Sequence, residues 1–152
     1  MFSKACEYAI RATLYISIKS IAGSKLGIKE IAKEIDSPVH FTAKILQTLS
    51  RQGIISSIKG PHGGFYLEAN AKPIPLNAIV IAIDGDNVLD TCSLGLKQCS
   101  DKFPCPIHDD IKAYKNRLLK VMKEKTVQQL AIELTTGKTF LRNYKVKLLA
   151  VG

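Results

Sequence analysis

The order of apolar and polar residues predicts several short amphipathic helices in the first third of the chain. From about Ser3 to Ile21 apolar residues recur at helical spacing, and the glycines that follow end this first predicted helix. A second short helix is predicted over residues 28–35, where apolar residues follow an i, i+3, i+4, i+7 pattern.

A third helix is predicted to follow almost at once. Ser37 is a suitable N-cap, Pro38 suits the first helical position, and the helix is expected to run to about Arg51. Its inward face is expected to consist of Phe41, Ile45, Leu46 and Leu49. Two short helices joined by a tight polar turn predict a helix-turn-helix.

A β-hairpin is predicted directly after this third helix. Residues 54–59 alternate as in a strand, residues 60–64 form a turn rich in glycine, and residues 65–67 return as a second strand. A hairpin in this position is the wing of a winged helix.

The second half of the chain predicts a linker at residues 72–75, a short helix over 76–83, and a loop over 84–106 that contains three cysteines. A long helix is expected to begin at Pro106. Its apolar positions are spaced by four, three, four and three residues, which predicts a dimerisation seam: Ile107, Ile111, Tyr114, Leu118 and Val121. Thr126 and Gln129 resemble a capping box for a final helix over 127–134.

The predicted fold class is therefore mainly α with a small β-hairpin wing. A winged helix-turn-helix DNA-binding domain is expected at 1–72, a cluster-binding loop and dimerisation helix at 73–134, and a basic C-terminal tail at 135–152.

Charge adds the first indication of function. The chain has 152 residues, and its 22 Lys and Arg against 13 Asp and Glu give a formal net charge of +9. Such an excess favours a polyanionic partner, and nucleic acid is the commonest one. Charged residues near the N-terminus interrupt any signal peptide or membrane span, so a cytoplasmic location without membrane contact is expected. In that reducing compartment clustered cysteines indicate metal ligands or redox sensors rather than disulfides.

The third helix and the wing offer groups for double-stranded DNA. Side chains expected on the exposed face of the helix, or deepest in a major groove, are His40, Thr42, Ala43, Lys44, Gln47, Thr48 and Arg51. The hairpin presents Lys59 and His62 at a tip narrow enough for a minor groove. A two-fold dimer would place two recognition helices about 34 Å apart and would require a palindromic operator.

The loop cysteines predict a metal centre. Cys92 and Cys99 are separated by six residues, and Cys99 and Cys105 by five. These gaps exceed the C-x-x-C of a zinc ribbon and suit an iron–sulfur cluster, with [2Fe–2S] as the expected type and [4Fe–4S] as the alternative. The fourth ligand is either His108 or Glu7, the latter reaching the loop from a partner subunit. Cys6 lies on the apolar stripe of the first helix and is expected in the core.

The full hypothesis is a regulator, expected to be a repressor and not an enzyme, that senses iron–sulfur status, nitric oxide or redox state. Three rivals stay open: a regulator that senses thiol oxidation without a cluster, a small iron–sulfur electron carrier, and a zinc-stabilised module. No nucleotide-binding loop and no nucleophile–base signature supports an enzyme.

The motifs together resemble the Rrf-two family of bacterial winged-helix regulators over roughly residues 1–134. The opening Phe2–Ala9 resembles the family's start, and the run G-x-x-x-S-x-x-G-P-x-G-G at 53–64 is the most specific match. The resemblance implies three cysteine ligands at Cys92, Cys99 and Cys105. IscR-like members add a histidine at the position of His108, whereas NsrR-like members use an aspartate, and RsrR-like members a glutamate, at the position of Glu7.

The resemblance also implies base-contacting roles for His40, Ala43 and Lys44 and a minor-groove role for Lys59. CymR-like members lack the cysteine triad, so the triad here favours a cluster. Two departures limit the transfer. The first cysteine gap is one residue longer than in IscR-like members, and Ala43 replaces their base-reading glutamate, so their cluster type and operators do not carry over.

Overall fold

The computed structural model describes residues 1–141, and within that range it contains six helices and one antiparallel hairpin. In chain order the elements are α1 (Lys4–Ile21), α2 (Ile28–Glu34), α3 (Val39–Arg51), β1 (Ser56–Ile58), β2 (Gly64–Tyr66), α4 (Leu76–Asp84), α5 (His108–Glu124) and α6 (Val127–Thr135). The predicted fold class, a winged helix-turn-helix with a long additional helix, is confirmed. The part of the predicted basic tail beyond residue 141 lies outside the described residues.

Helix α1 forms the centre of the molecule. It begins at Lys4 because the Ser3 side chain accepts a hydrogen bond from the backbone N–H of Cys6, which satisfies one of the unpaired donors of the first turn. Ala9, Ala12 and Ile16 are fully buried on one stripe of this helix. The main core surrounds this stripe and includes residues from α2, α3, α4 and α6, so burial of that stripe joins both halves of the described chain.

The turn between α2 and α3 differs in detail from the prediction. Helix α3 begins one residue later than expected: Pro38 is its N-cap, and no side chain caps the helix. The prediction that Ser37 is the N-cap was therefore wrong, and its hydroxyl oxygen is buried without a hydrogen-bond partner among the described residues. Asp36 makes the turn tight with a φ of 53°, a left-handed conformation that aspartate tolerates better than most residues.

The wing is shorter than predicted and is attached to the helical core. β1 and β2 pair Ser56 with Tyr66 and Ile58 with Gly64. Leu26, just before α2, adds two backbone hydrogen bonds to Phe65 at 2.8 and 2.9 Å. The predicted strand residues 54 and 55 lie before β1, because Ile55 is buried in the core instead of continuing the ladder.

Helices α4 and α6 pack back onto α1, and α5 packs against α4. Helix α4 ends at Asp84, whose carboxylate accepts hydrogen bonds from the backbone N–H and the hydroxyl of Ser3. Helix α6 has the predicted capping box, with Thr126 accepting from the Gln129 backbone N–H and Gln129 accepting from the Thr126 N–H. Helix α5 begins at His108 rather than at Pro106, so that prediction was wrong by two residues. Among residues 1–141, no helix has the length and apolar character needed to cross a bilayer.

Candidate metal centre and nucleic-acid interface

The segment between α4 and α5 brings the three predicted cysteine ligands together. The Sγ atoms of Cys92, Cys99 and Cys105 all lie within 4.8 Å of one another. Cys92 Sγ and Cys105 Sγ are 3.9 Å apart, and all three thiols are half-buried. No helix or strand forms between residues 85 and 107. The loop therefore gathers three soft donors that lie far apart in the sequence.

His108 lies beside this group at the first residue of α5. Its Nδ1 is 3.1 Å from Cys99 Sγ, and its Nε2 is 2.8 Å from Oδ1 of Asp101. Lys112, one helical turn further on, donates to both oxygens of Asp101 at 2.7 Å. Lys112 and then His108 hold the pKa of Asp101 below its usual range, so this carboxyl is ionised. Asp101 was not predicted from the sequence, where its position two residues after a predicted ligand is the one feature that marks it.

The donor set fits a metal group. Three thiols and one imidazole nitrogen supply four donors, the number required by a tetrahedral ion or by the irons of a small cluster. A cavity of about 340 Å³ lies against these residues, lined also by Ile107 and Lys115. Lys115 donates to the Thr91 carbonyl oxygen and so attaches the loop to α5.

Two of the three thiols, Cys92 and Cys99, have pKa values shifted in opposite directions. Hydrogen bonds from the backbone N–H groups of Leu96 and Leu94 lower the pKa of Cys92 to about 7, against a smaller opposing effect of burial. At Cys99 the Cys105 N–H lowers the pKa, but burial and the neighbouring sulfur atoms outweigh it, so its pKa is raised. Of these two residues, Cys92 is therefore the one whose thiolate form the loop stabilises.

Cys6 and Glu7 are placed differently from the loop ligands. Cys6 is fully buried with Val80 and Met122 in a second small core. Burial first, and then the Asp84 carboxylate, raise the pKa of Cys6 to about 12. Glu7 is exposed and forms an ion pair with Lys4 at 3.2 Å. Within this chain, Glu7 is not part of the three-cysteine group, whereas His108 contacts it.

Helix α3 exposes most of the predicted DNA-binding residues on one side. His40, Lys44, Gln47 and Arg51 are exposed, and Ala43 is half-buried among them. The prediction that Thr42 is exposed was wrong. Thr42 is fully buried and donates to the Pro38 carbonyl oxygen at 3.0 Å, because position 42 shares the inward face with Ile45, Leu46 and Leu49.

Thr48 is half-buried and donates to the Lys44 carbonyl oxygen at 3.0 Å, so its hydroxyl proton is already engaged.

The wing stands beside the end of α3. Lys59 and His62 are exposed at its tip. Ser50 of α3 and Ser57 of β1 share a hydrogen bond of 3.1 Å that joins the two elements, an interaction that the sequence analysis did not identify. An open groove of about 590 Å³ between them is lined by Gln47, Arg51 and Lys59 among others. The helix and the wing thus present cationic and amide groups to a common space.

The predicted seam of α5 is divided between two environments. Leu118 packs against the small core that contains Cys6, whereas Tyr114 and Val121 are 53% and 45% exposed. Ile107 is 36% exposed. Single chains seldom leave such a series of large apolar side chains in water along one helix. The exposed half of the seam is therefore available to a second chain.

Comparison with known proteins connects these features. The Rrf2 family model, described as "Iron-dependent Transcriptional regulator", matches residues 2–133. An HTH-type transcriptional regulator of Aquifex aeolicus is 30% identical over 132 residues, covering 86% of this chain and 90% of that protein. The transcriptional regulator IscR of Escherichia coli is 25% identical over 124 residues, covering 82% of this chain and 75% of IscR. These relatives are regulators and not enzymes.

Solved structures share the fold. The structure of CymR, titled the global cysteine regulator of B. subtilis, aligns with a TM-score of 0.69 at 19% identity and covers 87% of this chain and 96% of CymR. IscR of T. potens aligns with a TM-score of 0.67 at 15% identity, covering 93% of each chain.

Proposed function

We propose, from the premise that this chain belongs to the Rrf2 family of transcriptional regulators, that it is a dimeric repressor whose affinity for DNA responds to an iron–sulfur cluster. The cluster would be held by Cys92, Cys99 and Cys105, with His108 or Glu7 as fourth ligand. The single observation that supports this most is the convergence of three sulfur atoms within 4.8 Å in the loop that leads into α5. A [2Fe–2S] cluster is the first candidate and [4Fe–4S] the second.

The proposal divides the chain by role: residues 1–72 for DNA, 73–134 for the cluster and the dimer, and 135–152 as a basic tail. His40, Lys44, Gln47 and Arg51 would contact the major groove and Lys59 and His62 the adjacent minor groove, while Ala43 packs close to the bases. A two-fold dimer through Ile107, Ile111, Tyr114, Leu118 and Val121 would read a palindrome in the cytoplasm.

Bound at the loop, the cluster would supply a group sensitive to oxidation and to nitric oxide. The chain's own contacts suggest how such a change reaches DNA. Lys112 and Lys115 tie the loop to α5 through Asp101 and the Thr91 carbonyl. Leu118 of α5 packs against the small core formed by Cys6 of α1, Val80 of α4 and Met122 of α5 itself. A different loop arrangement would thus change the position of α5 relative to α1. The change in DNA affinity is limited by the difference in free energy between the two arrangements.

The decisive experiment is anaerobic purification followed by an absorption spectrum and iron and sulfide analysis. We expect wild type to be brown with near-stoichiometric iron and sulfide, Cys99→Ala to be colourless, and Cys6→Ala, the matched control, to remain brown. The wild-type protein is then used to select a palindromic DNA from a random pool. The affinity for that DNA is measured with and without the cluster. A colourless, iron-free wild type would refute the cluster.

A second candidate is a cluster-free thiol sensor. The 3.9 Å between Cys92 Sγ and Cys105 Sγ supports it, since both sulfurs are close enough for a disulfide to form after small movements. The same distance matches the roughly 3.8 Å between two thiolates on one tetrahedral ion with metal–sulfur bonds of about 2.3 Å, which is the zinc rival. Metal analysis distinguishes the iron–sulfur cluster from zinc. The mass of the non-reduced Cys92–Cys105 peptide after peroxide shows whether a disulfide forms, as the cluster-free thiol sensor requires.

A further inference from the structure

Both ring nitrogens of His108 face a partner, and the partners differ in kind. Nε2 lies 2.8 Å from a carboxylate oxygen of Asp101, and Nδ1 lies 3.1 Å from Cys99 Sγ. A neutral imidazole has one N–H donor and one lone-pair acceptor, whereas an ionised carboxylate can only accept. Nε2 must therefore hold the proton and donate it to Asp101. Nδ1 is then left with its lone pair directed toward the three-cysteine group.

Asp101 is itself fixed in place. Lys112 donates to both of its oxygens at 2.7 Å, and Lys112 stands one turn after His108 on the same helix. The carboxylate thus lies between two side chains of α5, although it belongs to the preceding loop. The His108 side chain is only 16% exposed, which limits competition from water for Nε2.

We propose that Asp101 is a positioning residue that holds His108 in the tautomer protonated at Nε2, which leaves the lone pair of Nδ1 facing the metal group that Cys92, Cys99 and Cys105 would bind. This inference rests on the proposed function for the metal group and concerns how its candidate ligand His108 is oriented. Glu7 is exposed and pairs with Lys4 at 3.2 Å, and no contact within residues 1–141 directs its carboxylate to the thiols. Carboxylate–histidine–metal arrangements orient the ring in the same manner at other metal sites.

The tautomer can be measured without any metal. Long-range proton–nitrogen NMR of the reduced, metal-free full-length protein, recorded over a pH series up to the neutral form of the ring, reports which ring nitrogen is protonated. We expect the Nε2-protonated form for His108 in wild type and loss of that single form in Asp101→Ala. Asp101→Asn keeps an oxygen acceptor and should retain it. Asp109→Ala removes a neighbouring exposed carboxylate that does not contact the ring and should behave as wild type.

Metal affinity provides the second measurement. With Zn²⁺ alone as the probe, in anaerobic competition with a chelator, Asp101→Ala should bind about 10- to 100-fold more weakly than wild type. Asp101→Asn should recover most of the affinity, and Asp109→Ala should leave it unchanged. A thermal melt of each metal-free variant verifies that the fold is intact.

Several results would overturn the inference: His108 protonated at Nδ1 in wild type, an unchanged tautomer in Asp101→Ala, or an undiminished zinc affinity in Asp101→Ala. The outcome is separable from that of the proposed function. If wild type assembles no iron–sulfur cluster yet shows the Asp101-dependent tautomer and zinc affinity, the proposed sensing function fails and the role of Asp101 stands. If a cluster assembles but neither the tautomer nor the zinc affinity depends on Asp101, the proposed function stands and the role of Asp101 fails.

Discussion

At the scale of single residues, burial separates Cys6 from the other three cysteines. Its thiol is fully buried, and burial raises its pKa to about 12, so at neutral pH it stays protonated and inaccessible. We expect a thiol reagent at neutral pH to modify three cysteines in the native, metal-free, reduced protein and all four after unfolding. Peptide mass spectrometry identifies the protected one. Cys6→Ala should give three modified cysteines in both states, and modification of Cys6 in the native protein would contradict its place in the core.

Gly63 in the wing lies where the backbone leaves no room for a side chain. A Cβ at this position would lie 2.0 Å from the Ile58 carbonyl oxygen, a backbone atom that cannot move without opening the hairpin. We expect Gly63→Ala to lower the free energy of unfolding by about 1–3 kcal/mol, as overpacking does elsewhere. Urea denaturation measures this. The neighbouring exposed residue gives the control, since His62→Ala should stay within about 0.5 kcal/mol of wild type.

The residues that sequence reasoning misplaced or missed have polar side chains whose hydrogen-bond partners the pattern of polar and apolar residues does not reveal. Thr42 has a polar side chain and was predicted to face DNA, but it satisfies its hydroxyl on Pro38 and lies on the buried face. The sequence alone hardly indicates the role of Asp101, because that role depends on the meeting of the loop with α5 in the folded structure. The three cysteines were identifiable, since their residue type and grouping are visible before folding.

At the scale of elements, the capping box of α6 could be read directly from the sequence because all its contacts lie within four residues. Thr126 accepts from the Gln129 N–H at 3.3 Å. We expect Thr126→Ala to destabilise the protein by about 0.5–2 kcal/mol in thermal or urea unfolding. Thr135 lies at the exposed end of the same helix, so Thr135→Ala should be neutral or slightly stabilising. Equal effects of the two variants would show that the cap contributes nothing.

Helix α5 was harder to define from sequence. Its heptad-like spacing was visible, but the spacing does not reveal which side chains the molecule covers itself. Leu118 packs on the buried cluster with Cys6, and Tyr114 does not. Its start also shifted from Pro106 to His108, because Cys105 accepts from the His108 N–H at 3.0 Å in a turn that precedes the helix. Such a turn depends on how the cysteine loop closes.

At the scale of the whole molecule, the exposed part of the seam leads to a prediction about assembly. Tyr114 is 53% exposed, and a charge there would be buried if two α5 helices pair. We expect Tyr114→Glu to weaken the dimer at least ~10-fold in analytical ultracentrifugation, in line with losses at aromatic interface residues. Lys123 is nine residues further along α5, which is 2.5 turns and hence the opposite side. Lys123→Glu should therefore leave assembly unchanged, and dissociation in both variants would indicate a general effect of charge.

Because the net charge is +9 per chain, we expect the affinity for DNA to depend on ionic strength. Each cationic side chain that neutralises a DNA phosphate releases counterions, so removing one such side chain reduces the slope of log affinity against log salt by about 0.9. A symmetric dimer presents the exposed Lys59 twice, so Lys59→Ala should reduce the slope by about 1.8 and weaken binding across all sequences. Lys123→Ala removes the same charge outside the helix-turn-helix and wing and should keep the wild-type slope. Fluorescence anisotropy over a salt series measures both, and equal slopes for the two variants would place the wing away from the DNA.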